Sequence, residues 1–436
     1  MESFMKKLVL KKITILAALG FLFLLSSCKK ADLLAPFKKN ANNFNRELAL
    51  LSFDASSSTI SKSDAEAFFT EKLHFDTFEY SEDYNVPASI NTIGYVFAHT
   101  VLGDNDLIAI TVRGFNYGAE WAGNFRIGRK GNHANFASAA EKIYADLLVY
   151  RQKHFPQAKL KLWLSGFSRG GGVANVLAHF ILSREDFDVS QNNMFVYTVE
   201  APQALIEDNA HPYPNVFNII NSADIITVLA PNAYDLYRCG NDVDIYSPKI
   251  DKFMKEANLP LVPFTSIRTE DTTWFFKAET EVEFLNGLLT KLMEEQPAGF
   301  PSFATREFYA DTVQDDLCYL VERFINVPQE DLDALLASFK GFFQVLHSEQ
   351  ADPLTGSLQM IMHSTGLFGK MIAILTSNSI SYKDEQLQKA FMTVVQIALT
   401  KKEIVAGCMT YLDNLKRLGQ MHDPSTIRVL LEHYED

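Results

Sequence analysis

The chain has 436 residues, 47% of them apolar and 21% charged, a composition that folds and that excludes intrinsic disorder, which needs low hydrophobicity and high net charge. A formal net charge of −13 argues against a general nucleic-acid binder, which would present a basic face. With 21 Gly and 15 Pro the chain is neither collagen-like nor Pro-rich, and its length suits one large domain with an insertion or two to three small ones. The four cysteines, Cys28, Cys239, Cys318 and Cys408, form no CxxC pair. Zinc-ribbon and thioredoxin-like sites therefore have no support, and a disulfide framework does not fit so large a chain.

Residues 1–27 read as an export signal. Lys6, Lys7, Lys11 and Lys12 make a positive n-region, and Ile13 to Leu25 is an apolar run too short to span a bilayer comfortably but right for a signal core. Leu25-Ser26-Ser27-Cys28 resembles a bacterial lipobox. The resemblance implies cleavage before Cys28 and a diacylglyceryl group on its sulfur; an ordinary secreted or membrane-anchored protein is the other reading. Loss of four lysines and one glutamate would make the mature chain more acidic still, anchored at a membrane whose anionic lipid repels its body. The expected location is the cell envelope, lipid-anchored to a bacterial membrane, periplasmic or surface-exposed.

Residues 28–44, Lys- and Asn-rich, read as a tether. Helices are expected at Arg46 to Phe53 and, with Ser63 as N-cap, at Ser63 to Leu73. Ile93 to Val101 suits a strand, with His99 a core residue rather than a ligand, and Gly103 to Asp106 is turn chemistry. Leu107 to Val112 (LIAITV) is apolar throughout and reads as a fully buried strand. An amphipathic helix over Ser138 to His154 follows. Then come a buried strand at Leu160 to Leu164, a helix at Gly170 to Leu182, and strands at Met194 to Val199 and Val216 to Ile220. Strands alternating with helices predict an α/β fold with a mainly parallel sheet flanked by helices. From about residue 250 the pattern turns helical, with segments at Glu281 to Met293, Thr312 to Phe324, Glu330 to Val345, Leu358 to Leu375 and Glu385 to Leu399. This reads as an insertion spanning 251–415, between a core over 45–250 and a return to that core over 416–436.

Gly166-Phe167-Ser168-Arg169-Gly170 is a G-x-S-x-G pentapeptide with a buried strand before it and a helix after it, the context that makes such a motif a nucleophile elbow. The glycines matter because side chains there would strike the neighbouring strand and helix. A serine is a weak nucleophile alone and needs a base oriented by an acid, expected in the chain order Ser, acid, His. Asp224 closes a polar turn after an apolar strand and is the candidate acid; Glu200, just after strand VYTV, is either the rival acid or a polar group lining the site. Of the four later histidines, His347 and His363 sit in helical patterns of the insertion. His422 lies on a loop before a final helix and is the candidate base, with His433 as fallback. An oxyanion hole needs two N–H donors: Arg169, next to the nucleophile, and Phe115, at the end of Leu107 to Val112, where Gly114 lets backbone approach a ligand. P-loop, Rossmann, HExxH and EF-hand motifs are missing, and Asp104-Asn105-Asp106 is too short for a calcium loop.

The ordered series across residues 93–246 resembles the class 3 lipase family of α/β-hydrolases. Val112-Arg113-Gly114-Phe115 is similar to the family's Phe-Arg-Gly-Thr turn, His133-Ala134-Asn135-Phe136 to its His-x-Gly-Phe, and Gly166 to Gly171 to its elbow. Val199-Glu200-Ala201-Pro202 is similar to Phe-Gly-x-Pro, Asp224 to Pro231 to the acid segment, and Tyr237-Arg238-Cys239-Gly240 to the stretch that follows. The resemblance implies Ser168 as nucleophile, Asp224 as acid, and Phe115 with Arg169 as oxyanion donors; His422 rests on order and context. Phe167 and Arg169 replace the family's elbow His and Leu, and a Gly-Phe-Ser-Arg-Gly elbow also resembles a phospholipase-type family of bacterial effectors. The insertion has no counterpart in the family, and caps over the site are common in this fold. The expected protein is a lipid-anchored serine hydrolase of carboxylic, in particular lipid, esters, without metal or organic cofactor. Its partners are a lipid or ester substrate and, through Cys28, a membrane, and not nucleic acid. A phospholipase or thioesterase on the same triad is the nearest alternative, and a catalytically inactive surface-binding lipoprotein is the alternative of another class.

Overall fold

The protein is described by a computed structural model over residues 32–115, 117–155, 159–184, 186–228, 234–264, 305–347 and 413–435, with scattered residues between 366 and 389. The chain divides into a unit over residues 1–39 and a larger one over residues 40–436. In the first, a short 3-10 helix, Ala35–Lys38, carries Pro36 in its first turn and is flanked by a Lys38–Asp32 ion pair. Cys28, Cys408 and the expected helix Glu281 to Met293 lie outside the described residues. Among those described, no helix is long and apolar enough to cross a membrane.

The larger unit is built on a seven-stranded sheet in sequential order: β1 (Thr77–Tyr80), β2 (Tyr95–Leu102), β3 (Asn105–Val112), β4 (Leu160–Phe167), β5 (Met194–Val199), β6 (Val216–Ile220) and β7 (Asn241–Asp244). β1 to β3 form an antiparallel meander and β3 to β7 run parallel. This is the α/β class expected from the strand–helix alternation. The register pairs Val112 with Gly166, Phe167 with Val199, and Val199 with Ile219. The C-terminal ends of β3 to β6 therefore open on one edge, where ligands bind in parallel sheets. β1 and β7 carry no apolar run and were not expected; each is an edge strand with mostly exposed or half-buried side chains.

Helices cover both faces. α1 (Arg46–Ser58) is capped by Asn45, whose side chain accepts from Leu48 N–H at 2.9 Å. It packs on β4, where Trp163 Nε1 donates to Ser52 Oγ at 2.8 Å. The next helix begins at Lys62, its cap two residues earlier than expected: Ser61, not Ser63, accepts from Asp64 N–H. α2 (Ala134–His154) and α3 (Arg169–Ser183) cover the other face, burying Ile143, Leu147, Val173 and Leu177 against Ile110, Leu162 and Val196. α2 starts four residues before its expected beginning because His133 serves as its cap: Nδ1 accepts from Phe136 N–H and Nε2–H donates to Asn124 O. Behind the elbow, Asn175 of α3 donates to Asn218 Oδ1 and Cys239 O and accepts from Cys239 N–H, joining α3 to β6 and to the approach of β7.

Past α4 (Ile250–Glu256) the described chain runs to residue 264 and resumes at residue 305. Here the insertion is docked onto the segment between β3 and α2. Arg306 donates to the carbonyls of Gly128, Ile127 and Asn132, Gln314 accepts from Gly128 N–H, and Tyr309 donates to Phe125 O. A π-helical turn, Tyr309–Val313, leads into α5 (Gln314–Phe324), which packs against Gly118–Phe125, and α6 (Gln329–His347) follows. Residues 413–421 are helical, and α7 (Pro424–His433) ends the fold between α1 and α4, capped by Asp423 with proline at its first position.

Two outcomes test this framework. Asn175→Ala strands buried polar groups of Asn218 and Cys239, and is expected to lower unfolding free energy by about 3 kcal/mol, read from urea denaturation. Burial pushes the His133 imidazole down to about 3, whereas an unfolded histidine titrates near 6.5. The unfolded chain therefore binds the extra proton between those values, and stability falls as pH drops through that window by about 1 kcal/mol per pH unit. His133→Asn, which keeps a capping side chain, is expected to flatten that slope between pH 7 and pH 5.

Candidate active site

β4 ends in a turn that only close-packed backbone can hold. Ser168 sits at φ 53°, left-handed and uncommon for a residue with a Cβ. Its N–H donates to Val199 O at 2.8 Å, and Gly172 N–H donates back to Ser168 O. A Cβ on Gly166 would stand 2.3 Å from Gly170 O, and one on Gly170 would stand 2.5 Å from Val112 O. The strand, turn and helix therefore fit only with glycine there, and the serine stands at the N-terminus of α3, whose dipole favours developing negative charge.

The structure brings Ser168, His422 and Asp224 together from three distant parts of the sequence. His422 Nε2 lies 2.8 Å from Ser168 Oγ, and His422 Nδ1 is hydrogen-bonded to Asp224 Oδ2. Asp224 is fully buried in the turn after β6, its Oδ1 accepting from Ile226 N–H at 2.9 Å. His422 is held by its neighbours: Asn221 Nδ2 donates to Met421 O, and Gln420 bonds to Val262 N–H and Pro260 O. The imidazole also lies beside the Phe167 ring at 5.0 Å. His433 is elsewhere, stacked on Phe253 with Nδ1 against Val429 O. His347 ends α6, and His363 lies outside the described residues.

The turn after β3 faces the elbow. A Cβ on Gly114 would fall 1.8 Å from Phe167 O, so the two backbones touch, and the Phe115 ring stacks on Phe167 at 4.4 Å. Arg113 fixes this turn from behind. Its N–H donates to Gly94 O and its guanidinium pairs with buried Glu120 at 2.5 Å. Phe115 thus packs on the elbow through Phe167, and Arg169 follows Ser168 at the start of α3.

The sequence did not reveal the roles of Asn221, Tyr117 and Glu120, and left Glu200 as either a rival acid or a polar group lining the site. Asn221, visible only as part of a polar turn, ties the β6 turn to the His422 loop. Tyr117 brings its hydroxyl within reach of Ser168 and Asn124, and burial holds that phenol above its ordinary range. Glu120 faces both Arg113 and Arg169, and burial pushes its carboxyl up. The Arg169 side chain is itself buried over Phe136 and reaches Asn124, and burial pulls it below the usual guanidinium range. Glu200 does not bond to His422. Fully buried at φ 50°, it accepts from Asn221 N–H at 2.9 Å, and its carboxyl is pushed well up by burial and by the adjacent Asp224. Glu200, Asp224 and His422 are, among the described residues, the group whose ligand atoms cluster within 4.8 Å. Both imidazole nitrogens are already hydrogen-bonded, so a metal would have to break the His422–Asp224 contact that suits proton transfer.

Residues 109–234 match the family model Lipase (class 3). The matched segment contains Ser168 and Asp224 and stops before His422. No curated protein matches the chain. Among solved structures, the triacylglyceride lipase of Rhizomucor miehei is similar at 17% identity and a TM-score of 0.36, over 46% of this chain and 80% of that one. Lipase II from Rhizopus niveus is similar at 16% identity and a TM-score of 0.34, over 45% and 81%. The match over residues 109–234 gives this chain a class 3 lipase-like core, that of a carboxylic ester hydrolase.

Proposed function

We propose that the protein hydrolyses lipid esters through an acyl-enzyme, with Ser168 as nucleophile, His422 as general base and Asp224 as the acid that orients it. The observation that carries this reading is the unbroken hydrogen-bonded path from Ser168 Oγ through both nitrogens of His422 to Asp224. As Oγ attacks the ester carbonyl, Nε2 takes its proton. Asp224 stabilises the imidazolium and holds its orientation. The N–H groups of Phe115 and Arg169 stabilise the oxyanion that forms, and water attacks the acyl-enzyme with His422 as base. Phe115, Phe167 and Tyr117 give the reacting centre an apolar wall that suits an acyl chain. The reading extends to an envelope lipoprotein anchored through Cys28, on the lipobox-like sequence alone.

A fluorophosphonate serine probe should label the wild-type chain and not Ser168→Ala. With a short-chain aryl ester, His422→Ala and Ser168→Ala are each expected to lower kcat by about a millionfold, and Asp224→Asn by about 10,000-fold, with circular dichroism unchanged. A folded wild type that neither labels nor turns over ester, with detergent present, would favour the binding-protein reading. For the anchor, Cys28→Ser is expected to abolish metabolic labelling by palmitate and to move the protein out of the membrane fraction; equal labelling of the two would remove the lipoprotein reading.

A further inference from the structure

A second carboxyl stands behind the acid of the proposed triad. Glu200 ends β5 in a left-handed conformation, and its side chain is fully buried. Oε1 accepts from Asn221 N–H at 2.9 Å. Oε2 is buried and meets no donor, and a carboxyl oxygen of Glu200 lies within 4.8 Å of one of Asp224. Two carboxylates in one dry site repel, so one of them keeps a proton. The donor inventory decides which. Asp224 receives Ile226 N–H on Oδ1 and His422 on Oδ2, two bonds that favour its charged form. Glu200 receives one N–H. The nearest other charge, Arg238, is already spent: its guanidinium pairs with Asp242 through two bonds and donates to Ala201 O and Thr227 O.

We propose that Glu200 is a positioning residue, a neutral carboxylic acid whose Oε2–H donates a hydrogen bond to Asp224 and so holds the carboxylate that orients His422. This rests on the triad reading above. With its proton in place, Glu200 satisfies both of its own oxygens and gives Asp224 a third donor. The added bond spreads the charge of Asp224 and keeps it a carboxylate while His422 carries the serine proton. Glu200 retains its own proton throughout. Were Glu200 to ionise, a second negative charge would enter the site beside Asp224 and His422, and the donor would be lost. The direction in which burial and Asp224 move the Glu200 carboxyl agrees with this.

The test uses the full chain and three readouts. Glu200→Ala removes the donor and is expected to lower kcat 10- to 100-fold with little change in KM. Glu200→Gln, which keeps a donor that does not ionise, is expected to recover most of that loss. In wild type, rising pH should lower activity wherever Glu200 ionises in the presence of Asp224, His422 and Arg238, and Glu200→Gln should lack that loss. In infrared difference spectra at neutral pH, wild type minus Glu200→Gln should carry the carbonyl band of a protonated, buried carboxyl. Equal kcat in the Gln and Ala variants, or no such band, would each overturn the proposal. Fluorophosphonate labelling separates the two levels. Labelling that survives in Ser168→Ala would sink the triad reading itself, whereas Ser168-dependent labelling with indifferent Glu200 variants would sink this inference alone.

Discussion

The site depends on a steric constraint. Three backbones meet at the C-terminal edge of the sheet more closely than any Cβ allows. Gly114 lies against Phe167 O, Gly166 against Gly170 O, and Gly170 against Val112 O. Because these contacts are backbone on backbone, no side-chain rotation relieves them. They hold Ser168 in its left-handed turn, where its N–H reaches Val199 O, and they seat the turn after β3 beside it. Strain of this kind, of order 1–3 kcal/mol, persists only where the surroundings over-determine it. Here the in-register ends of β3, β4 and β5 and the network around Asn175 provide that rigidity.

The second demand is to return a histidine across the 198 positions that separate it from Asp224. Loop-closure entropy grows only slowly with length, so the interval itself is no obstacle. Position at the last few residues is what matters, and local contacts supply it. Asn221 holds Met421 from the β6 turn, Gln420 grips residues 260–262, and α7 wedges against α1 and α4. Elsewhere the intervening chain is fastened by Arg306, Gln314 and Tyr309 to the segment before α2. That segment also supplies Tyr117, Glu120 and Asn124 around the elbow. A docked insertion therefore touches the same loop that supports the nucleophile's surroundings.

What the sequence revealed follows from where its information is local. The buried parallel strands, the elbow and the helix after it were readable because continuous β-branched runs and closely spaced glycines each have one structural use. Ser168, Asp224 and His422 were readable as residue types in an order. Edge strands β1 and β7 were not, since Thr77-Phe78-Glu79-Tyr80 and Asn241–Asp244 pair through backbone and have no buried face to pattern. The start of α2 was missed because a histidine caps it, outside the usual Ser, Thr, Asp and Asn set. Asn221, Glu120 and Tyr117 were illegible for a different reason. Their roles are contacts to residues remote in sequence, and nothing in a lone polar or aromatic residue announces such a partner.

The charges around the site sort themselves by partner. Arg238 is neutralised by Asp242, and Arg113 by Glu120, which also faces Arg169. Arg238 also donates to two carbonyls, the condition under which burying a charge is tolerable. His133, buried and uncharged, contributes shape and hydrogen bonds only. Beside Ser168 stand His422 and two carboxyls, Asp224 and Glu200. A single proton moving between Ser168 and His422 needs a carboxylate that stays a carboxylate, and a second carboxyl beside it is harmless only if it stays neutral. The fold meets that requirement by burying Glu200 with one N–H donor and Asp224 with two, so that the asymmetry of their hydrogen bonds, rather than any difference in exposure, decides which of the two carries the charge.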